Sequence, residues 1–273
     1  MTSVSRRALL GASAAFAAPG SATATGVEMP SDPYLPTAPH AIEAETFAQY
    51  LNLPSCPRGN NSYKQDGAPN VLTWGAPGEP GTWFNQSQCA SFLTGLLRRT
   101  YPDVATPQHF ETCFGSRSPN ARQYRQAFAA GIPRWRTLTR LADLRAGDLI
   151  AIDYANGQPT QTGHIVLLRR IKGTYVAPNP SLNFPGETQY AVEVIDCTSD
   201  PHGVPGVGNY AAYPDIRLVE GGDDRAGVGF GHMMFYVSTS TGVFTRYRWS
   251  VNTSSSGTYT VAQRPIAAAR FTG

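Results

Sequence analysis

Residues 85–100 read NQSQCASFLTGLLRRT and change from a polar loop to an amphipathic helix at the cysteine. The apolar stripe of this helix consists of Phe92, Leu93, Leu96 and Leu97, at the 3.6-residue period. The two arginines before Thr100 suit the negative end of the helix dipole. The pattern predicts a helix over Ser87–Thr100 with Cys89 in its first turn.

A cysteine at a helix start is well placed for nucleophilic chemistry. Unpaired N–H groups and the positive end of the dipole stabilise a thiolate there, and the same groups can bind an oxyanion. A lone cysteine is more often a packing residue, but the polar residues Asn85–Gln88 disfavour an apolar setting. Cys89 is therefore the candidate nucleophile. Gln86 and Gln88 are candidates for binding the oxyanion or the substrate, and Gln86 is favoured.

A second motif, Thr162-Gly163-His164-Ile165-Val166, puts a histidine at the start of an apolar strand. Strand alternation places His164 on one face with Val166 and Leu168. A thiol needs a neighbouring base to become a nucleophile, and His164 is the candidate base. A half-buried structural histidine is the alternative interpretation. His202, in the turn Asp200–Gly203, is the strongest rival among the other histidines.

A third motif, Val194-Ile195-Asp196, places a carboxylate on an apolar strand face, which is costly unless the carboxylate is paired. A histidine N–H would pair with Asp196 and fix the tautomer of the ring. A turn-capping role for Asp196 is the alternative. His202 and Asp200 are the other candidates for the third position of the site.

Together these motifs resemble the cysteine, histidine-dependent amidohydrolase/peptidase (CHAP) superfamily and the related NlpC-type cell-wall peptidases. The resemblance covers residues 85–198 and includes the Gly147-Asp148 turn before the histidine strand. It implies a papain-like α+β fold, with N-terminal helices packed on a mostly antiparallel sheet. It also implies a cysteine peptidase or amidase that cleaves amide bonds of peptidoglycan or a peptide, without a cofactor, using Cys89, His164 and Asp196.

Two other functions fit the same residues. The first is a non-catalytic envelope protein that uses the scaffold as a binding surface. The second is acyl transfer of the transglutaminase type, in which an amine rather than water accepts the acyl group. Retention of all three residues favours a catalyst over a binding protein.

The N-terminus predicts export. Ser5-Arg6-Arg7, the apolar run Leu9–Ala18 and the small residues Ala22–Ala24 are typical of a twin-arginine signal peptide over residues 1–24. The apolar run is shorter than the roughly 20 residues that span a bilayer, so no stable membrane insertion is expected. The predicted location is periplasmic or extracellular.

Charge and composition exclude some functions. Without the two arginines of residues 1–24, the chain has 20 basic and 19 acidic residues. Nucleic-acid binding requires a concentrated basic surface, so it is not expected. No cysteine–histidine spacing typical of zinc occurs, so no metal is predicted. We expect a monomer.

The chain divides into the signal peptide, a Pro-rich linker over residues 25–39 and one hydrolase domain over 40–273, whose core spans about residues 85–250. Of the cysteines outside the candidate nucleophile, Cys56 and Cys113 are the preferred pair for a disulfide. The other predicted elements are helices over Ala41–Leu51 and Pro119–Ala130 and strands over Leu149–Ile152, His164–Ile171, Ala191–Cys197, Met233–Val237 and Val243–Trp249.

Overall fold

The structure is a computed structural model, and it describes residues 37–218 and 225–273. The predicted signal peptide and most of the predicted linker lie outside these residues. The described residues form four α-helices, which are α1 (Pro39–Asn52), α2 (Cys89–Thr100), α3 (Pro107–Phe114) and α4 (Ala121–Ala130).

The strands form two sheets. Their bounds are β1 (Asn61–Tyr63), β2 (Val71–Thr73), β3 (Phe84–Ser87), β4 (Trp135–Leu138), β5 (Leu149–Asp153), β6 (Gly163–Thr174), β7 (Glu187–Thr198), β8 (Gly227–Ser238), β9 (Phe244–Arg248), β10 (Thr258–Thr260) and β11 (Ile266–Phe271). The large sheet has the order β10-β9-β8-β7-β6-β5-β11-β4, and every neighbouring pair is antiparallel. The small sheet has the order β1-β3-β2.

The predicted α+β class and the antiparallel sheet are confirmed. The helix at the cysteine begins at Cys89 itself, two residues later than predicted. The predicted helix from Pro119 begins instead at Ala121, because Asn120 caps it and exchanges hydrogen bonds with Gln123. Helix α3, which contains His109, was not predicted.

The core extends beyond residue 250. Strand β11 inserts between β5 and β4, so the C-terminal residues Ile266–Phe271 lie inside the large sheet. The segment before the cysteine is also more ordered than predicted, because it contains the small sheet. The linker ends earlier than predicted, since Pro39 opens α1.

Strand alternation produces two apolar clusters, one on each face of the sheet. Ile165 and Leu167 of β6 pack in the cluster that contains α1, α2 and α4. Val166 and Leu168 pack in the other cluster. The predicted division of this strand into two faces is therefore correct, and both faces are buried.

The predicted disulfide is wrong, because all four cysteines are free thiols. Cys56 lies just after α1 and packs in the helix-side core. Cys113 lies on α3, where its sulfur is 3.7 Å from Nδ1 of His109.

Among residues 37–218 and 225–273, no helix has the length and apolar character needed to cross a bilayer.

Candidate active site

Strand β7 aligns the two halves of the site. Cys197 faces the helix side of the sheet, where its thiol donates to the carbonyl oxygen of Ser87 at 3.2 Å. This contact fixes the chain two residues before Cys89. Asp196, the preceding residue, faces the opposite side of the sheet. Neighbouring residues of one strand therefore position the start of α2 and the partner of the histidine.

His164 and Asp196 form a direct contact. His164 Nε2 lies 2.7 Å from Asp196 Oδ2, and both side chains are buried. The two residues are on adjacent strands, and the register Leu167–Ile195 places them diagonally across one face of the sheet. The predicted pairing of this histidine with this carboxylate is observed in the structure.

Cys89 acts electrostatically on the His164 ring. Because Asp196 occupies Nε2, Nδ1 is the ring nitrogen that remains available. Burial lowers the pKa of His164, but the charge of the Cys89 thiolate and the hydrogen bond to Asp196 outweigh burial and raise this pKa to about 9. The His164 ring therefore keeps its proton through neutral pH.

Asp196 is held as a carboxylate by a second layer of buried residues. Arg217 Nη1 lies 2.9 Å from Asp196 Oδ1, and His202 Nε2 lies 3.1 Å from Asp196 Oδ2. Burial opposes ionisation, but Arg217, His202 and His164 hold the pKa of Asp196 well below its usual value. Arg217 also pairs with Asp215, with its Nη2 2.7 Å from Oδ2. All these groups are essentially inaccessible to solvent.

Both ring nitrogens of His202 face hydrogen-bond acceptors. Nδ1 is 2.8 Å from the carbonyl oxygen of Trp249, and Nε2 faces Asp196. These two contacts fix the His202 ring between Trp249 and Asp196.

Two glycines of β8 make room for this buried layer. A Cβ atom on Gly229 would lie 2.6 Å from Cγ of Arg217, and a Cβ atom on Gly231 would lie 2.3 Å from Oδ2 of Asp215. The glycine-rich run before His232, assigned to no strand in the sequence analysis, is thus a strand whose missing side chains accommodate the charged cluster.

His164 and Gln88, the residue before Cys89, line an open cleft of about 680 Å³. Cys89 is only 6% exposed. The cleft wall combines aromatic rings with polar side chains, among them Tyr63, Lys64, Asp66, Gln88, Tyr154, Asp200, Tyr247, Trp249, Tyr259 and Arg264. Burial, followed by the charge of Cys89, raises the pKa of Tyr63, which places its hydroxyl near the thiol.

The other predicted site residues divide between the cleft and its surroundings. Gln88 lines the cleft. Gln86, the favoured oxyanion donor, does not, because its side chain donates to the carbonyl oxygen of Pro69 at 3.0 Å. Asp200 lines the cleft but makes no hydrogen bond to His164 in the described residues. His202, an alternative candidate for the third position of the site, contacts Asp196, and Asp196 rather than His202 is the residue hydrogen-bonded to His164.

The three remaining cysteines are poor nucleophiles. Burial raises the pKa of Cys197 to about 12. Burial also raises the pKa of Cys56 and that of Cys113. The fully buried Cys197 thiol is engaged with Ser87, so its role is to hold the chain before the nucleophile.

One group in the described residues has the donor types of a metal site. His164, Asp196 and His202 have ligand atoms within 4.8 Å of one another. Each of the donor atoms already belongs to a hydrogen bond, and the Arg217 guanidinium compensates the charge of Asp196. A cation would have to displace these contacts, so the residues fit a hydrogen-bonded cluster better than a metal site.

Sequence reasoning missed Asp215 and Arg217, which support Asp196, and Tyr63 and Trp249, which line the cleft. The first two are opposite charges two residues apart, a spacing that also occurs in ordinary surface loops. Trp249 packs against both histidines, with ring centroids 4.8 Å from His164 and 4.3 Å from His202. No local sequence pattern indicates such contacts between distant segments.

Comparison with known proteins gives one distant relative and no family. An uncharacterized protein of Acanthamoeba polyphaga mimivirus is 26% identical over 204 residues, covering 72% of this chain and 82% of the viral protein. No protein-family description matches the chain, and no solved structure matches it significantly. The papain-like assignment therefore stays a prediction from the sequence motifs.

Proposed function

We propose that the protein is an exported cysteine hydrolase that cleaves amide bonds through a Cys89 acyl-enzyme. The observation that carries the proposal is the buried contact of His164 with Asp196 at an open cleft, together with the electrostatic interaction between Cys89 and the same ring. A nucleophile, a base and a group that orients the base are the parts that acyl transfer requires.

The residues support a two-step reaction. The Cys89 thiolate attacks the amide carbonyl carbon, and a C–S bond forms. The C–N bond then breaks as His164 gives its proton to the departing amine. Water next attacks the thioester while His164 accepts its proton, and the C–S bond breaks to release the acid and the thiolate. As the first residue of α2, Cys89 also has a backbone N–H with no intrahelical acceptor, which can stabilise the oxyanion.

Peptidoglycan or a peptide is the proposed substrate. The cleft is open and lined by hydroxyl, amide and aromatic groups, which suits an extended polar chain better than a small apolar molecule. The papain-like assignment, the export signal and the cell-wall substrate rest on the sequence motifs, and the polar cleft is compatible with them.

Selective alkylation tests the nucleophile. Iodoacetamide at neutral pH should modify Cys89 before the other three cysteines, because the pKa of His164, which interacts with Cys89, is raised, whereas burial lowers the pKa of His109 beside Cys113. Peptide mass spectrometry over a time course identifies the modified residue, with the thiol of half-exposed Cys113 as the internal control. His164→Ala should slow labelling of Cys89 without changing that of Cys113. Faster labelling of Cys113 or Cys197 in the wild type would contradict the assignment.

The pH dependence of activity follows from His164. Its pKa is raised from the ordinary 6.5 to about 9, so the ring keeps its proton where a free histidine loses it and deprotonates as the pH rises through 9. The kcat/KM value should therefore fall at alkaline pH with a limb near 9. Asp196→Asn should move this limb to lower pH, since the substitution removes a carboxylate that favours the cation. If the alkaline limb of kcat/KM does not move in Asp196→Asn, the limb belongs to a group other than His164.

A further inference from the structure

Arg264 is an unusual cation in the cleft. The ring of Tyr259 lies 3.5 Å from its guanidinium carbon, and the ring of Tyr154 lies 4.2 Å from it. Its Nη1 donates to the hydroxyl of Tyr247 at 2.9 Å. Two rings and one hydroxyl thus hold the guanidinium in a fixed orientation.

This guanidinium has no acidic partner among the described residues. Arg217 pairs with Asp215, and Arg246 pairs with Glu187. The fully buried Arg248 instead donates to the carbonyl oxygens of Val251 and Thr253. An arginine whose faces are covered by aromatic rings loses much of its hydration, and a planar fork of N–H groups is left to bind an anion. A carboxylate is the anion that matches this fork in a bidentate fashion.

Arg264 is also close to the chemistry. It lines the same cleft as His164. The pKa of Tyr154 responds to charges in both regions. Burial is the largest effect and raises this pKa, the charge of Cys89 raises it further, and the charge of Arg264 lowers it. A carboxylate bound to Arg264 would therefore lie in the same cleft as the candidate base His164.

We propose that Arg264 binds a free carboxylate of the substrate, adjacent to the amide bond that Cys89 attacks. The proposal rests on the proposed hydrolase function and narrows its substrate class to peptides with an unblocked carboxyl group near the scissile bond. Tyr154 and Tyr259 orient the guanidinium, and Tyr247 fixes one of its edges.

The test uses binding, so that it does not depend on turnover. Cys89→Ala protein is titrated calorimetrically with soluble peptides released from peptidoglycan, each as the free acid and as its matched amide. The free acids should bind on the order of tenfold or more tightly than the amides, as expected for a bidentate charge-assisted pair. Adding Arg264→Gln should remove this preference by weakening only the acids.

The matched control is Arg246→Gln, which removes an arginine that also stacks on a ring, Phe184, but already has an acidic partner. It should leave the acid-to-amide ratio unchanged. The proposal is overturned if the Arg264→Gln protein has the same acid-to-amide affinity ratio, including the case in which it binds acids and amides equally more weakly. Arg264 would then have a structural role only. Failure of every acid to bind overturns it as well. If the protein binds the free acids in preference to the amides but the wild type turns over no substrate, the result would refute the hydrolase function and not the carboxylate site.

Discussion

Replacing either Cys89 or His164 by alanine should reduce turnover on the order of 10³-fold or more, because the first removes the proposed nucleophile and the second its base. Combining the two should cost little beyond either alone, since neither works without the other. The measurement is kcat on peptidoglycan fragments for the two single variants and the double variant.

The third residue should behave differently. Asp196→Ala leaves the His164 Nε2 without its acceptor, so turnover should fall, but less than on loss of the histidine. Asp196→Asn retains one acceptor oxygen and should be more active than Asp196→Ala. Adding Asp196→Ala to His164→Ala should cost little further.

Cys113→Ser is the control for thiol loss and should keep wild-type turnover, since Cys113 lies on α3 away from the cleft lining. Each variant requires a check that it still folds. A Cys89→Ala protein with substantial turnover would contradict the mechanism. Normal turnover of Asp196→Ala would remove this carboxylate from the site and leave Asp200 or His202 as the candidate.

Arg217→Met should destabilise the folded protein by about 3–5 kcal/mol, because it leaves the carboxylates of Asp196 and Asp215 buried beside an incomplete set of cations. The guanidinium is fully buried and contacts both acids at 2.9 and 2.7 Å. Urea unfolding followed by circular dichroism gives the free energy of unfolding. Asp215→Asn combined with Arg217→Met should recover part of the loss, because it removes one unpaired charge.

The comparison variant is Arg117→Met, which breaks the exposed contact of Arg117 with Glu111. Exposed ion pairs contribute little, so its unfolding midpoint should match the wild type. Equal effects of Arg217→Met and Arg117→Met would show that the buried cluster does not hold Asp196 in place.

The sequence was sufficient to select the candidate residues that are marked by their immediate neighbours in the chain. Cys89 was identified by the amphipathic helix that follows it, and His164 and Asp196 by strand alternation, which requires only a few neighbours. The contact between the last two then follows from the pairing of β6 with β7. The antiparallel sheet and the α+β class were predictable for the same reason.

The rest of the site depends on contacts between distant segments. Strand β11 pairs with β5 and β4, and nothing in its own residues specifies those partners. Arg217 reaches Asp196 only because Gly229 and Gly231 leave space above β8. Gln86 was favoured because it is near the cysteine in sequence, but strand β3 directs its side chain to Pro69. Proximity along the chain does not determine which way a strand residue faces.

The proposed mechanism requires a thiolate–imidazolium pair of Cys89 and His164, and nitrogen-15 NMR of the histidine rings as a function of pH tests it directly. In the wild type, the His164 ring, assigned by comparison with His164→Gln, should stay protonated at both nitrogens through neutral pH and titrate near 9. In Cys89→Ala it should titrate at lower pH, because burial then acts without the thiolate. A His164 ring that titrates at about 6.5, the value of a free histidine, or is unaffected by Cys89→Ala, would contradict the proposed pair.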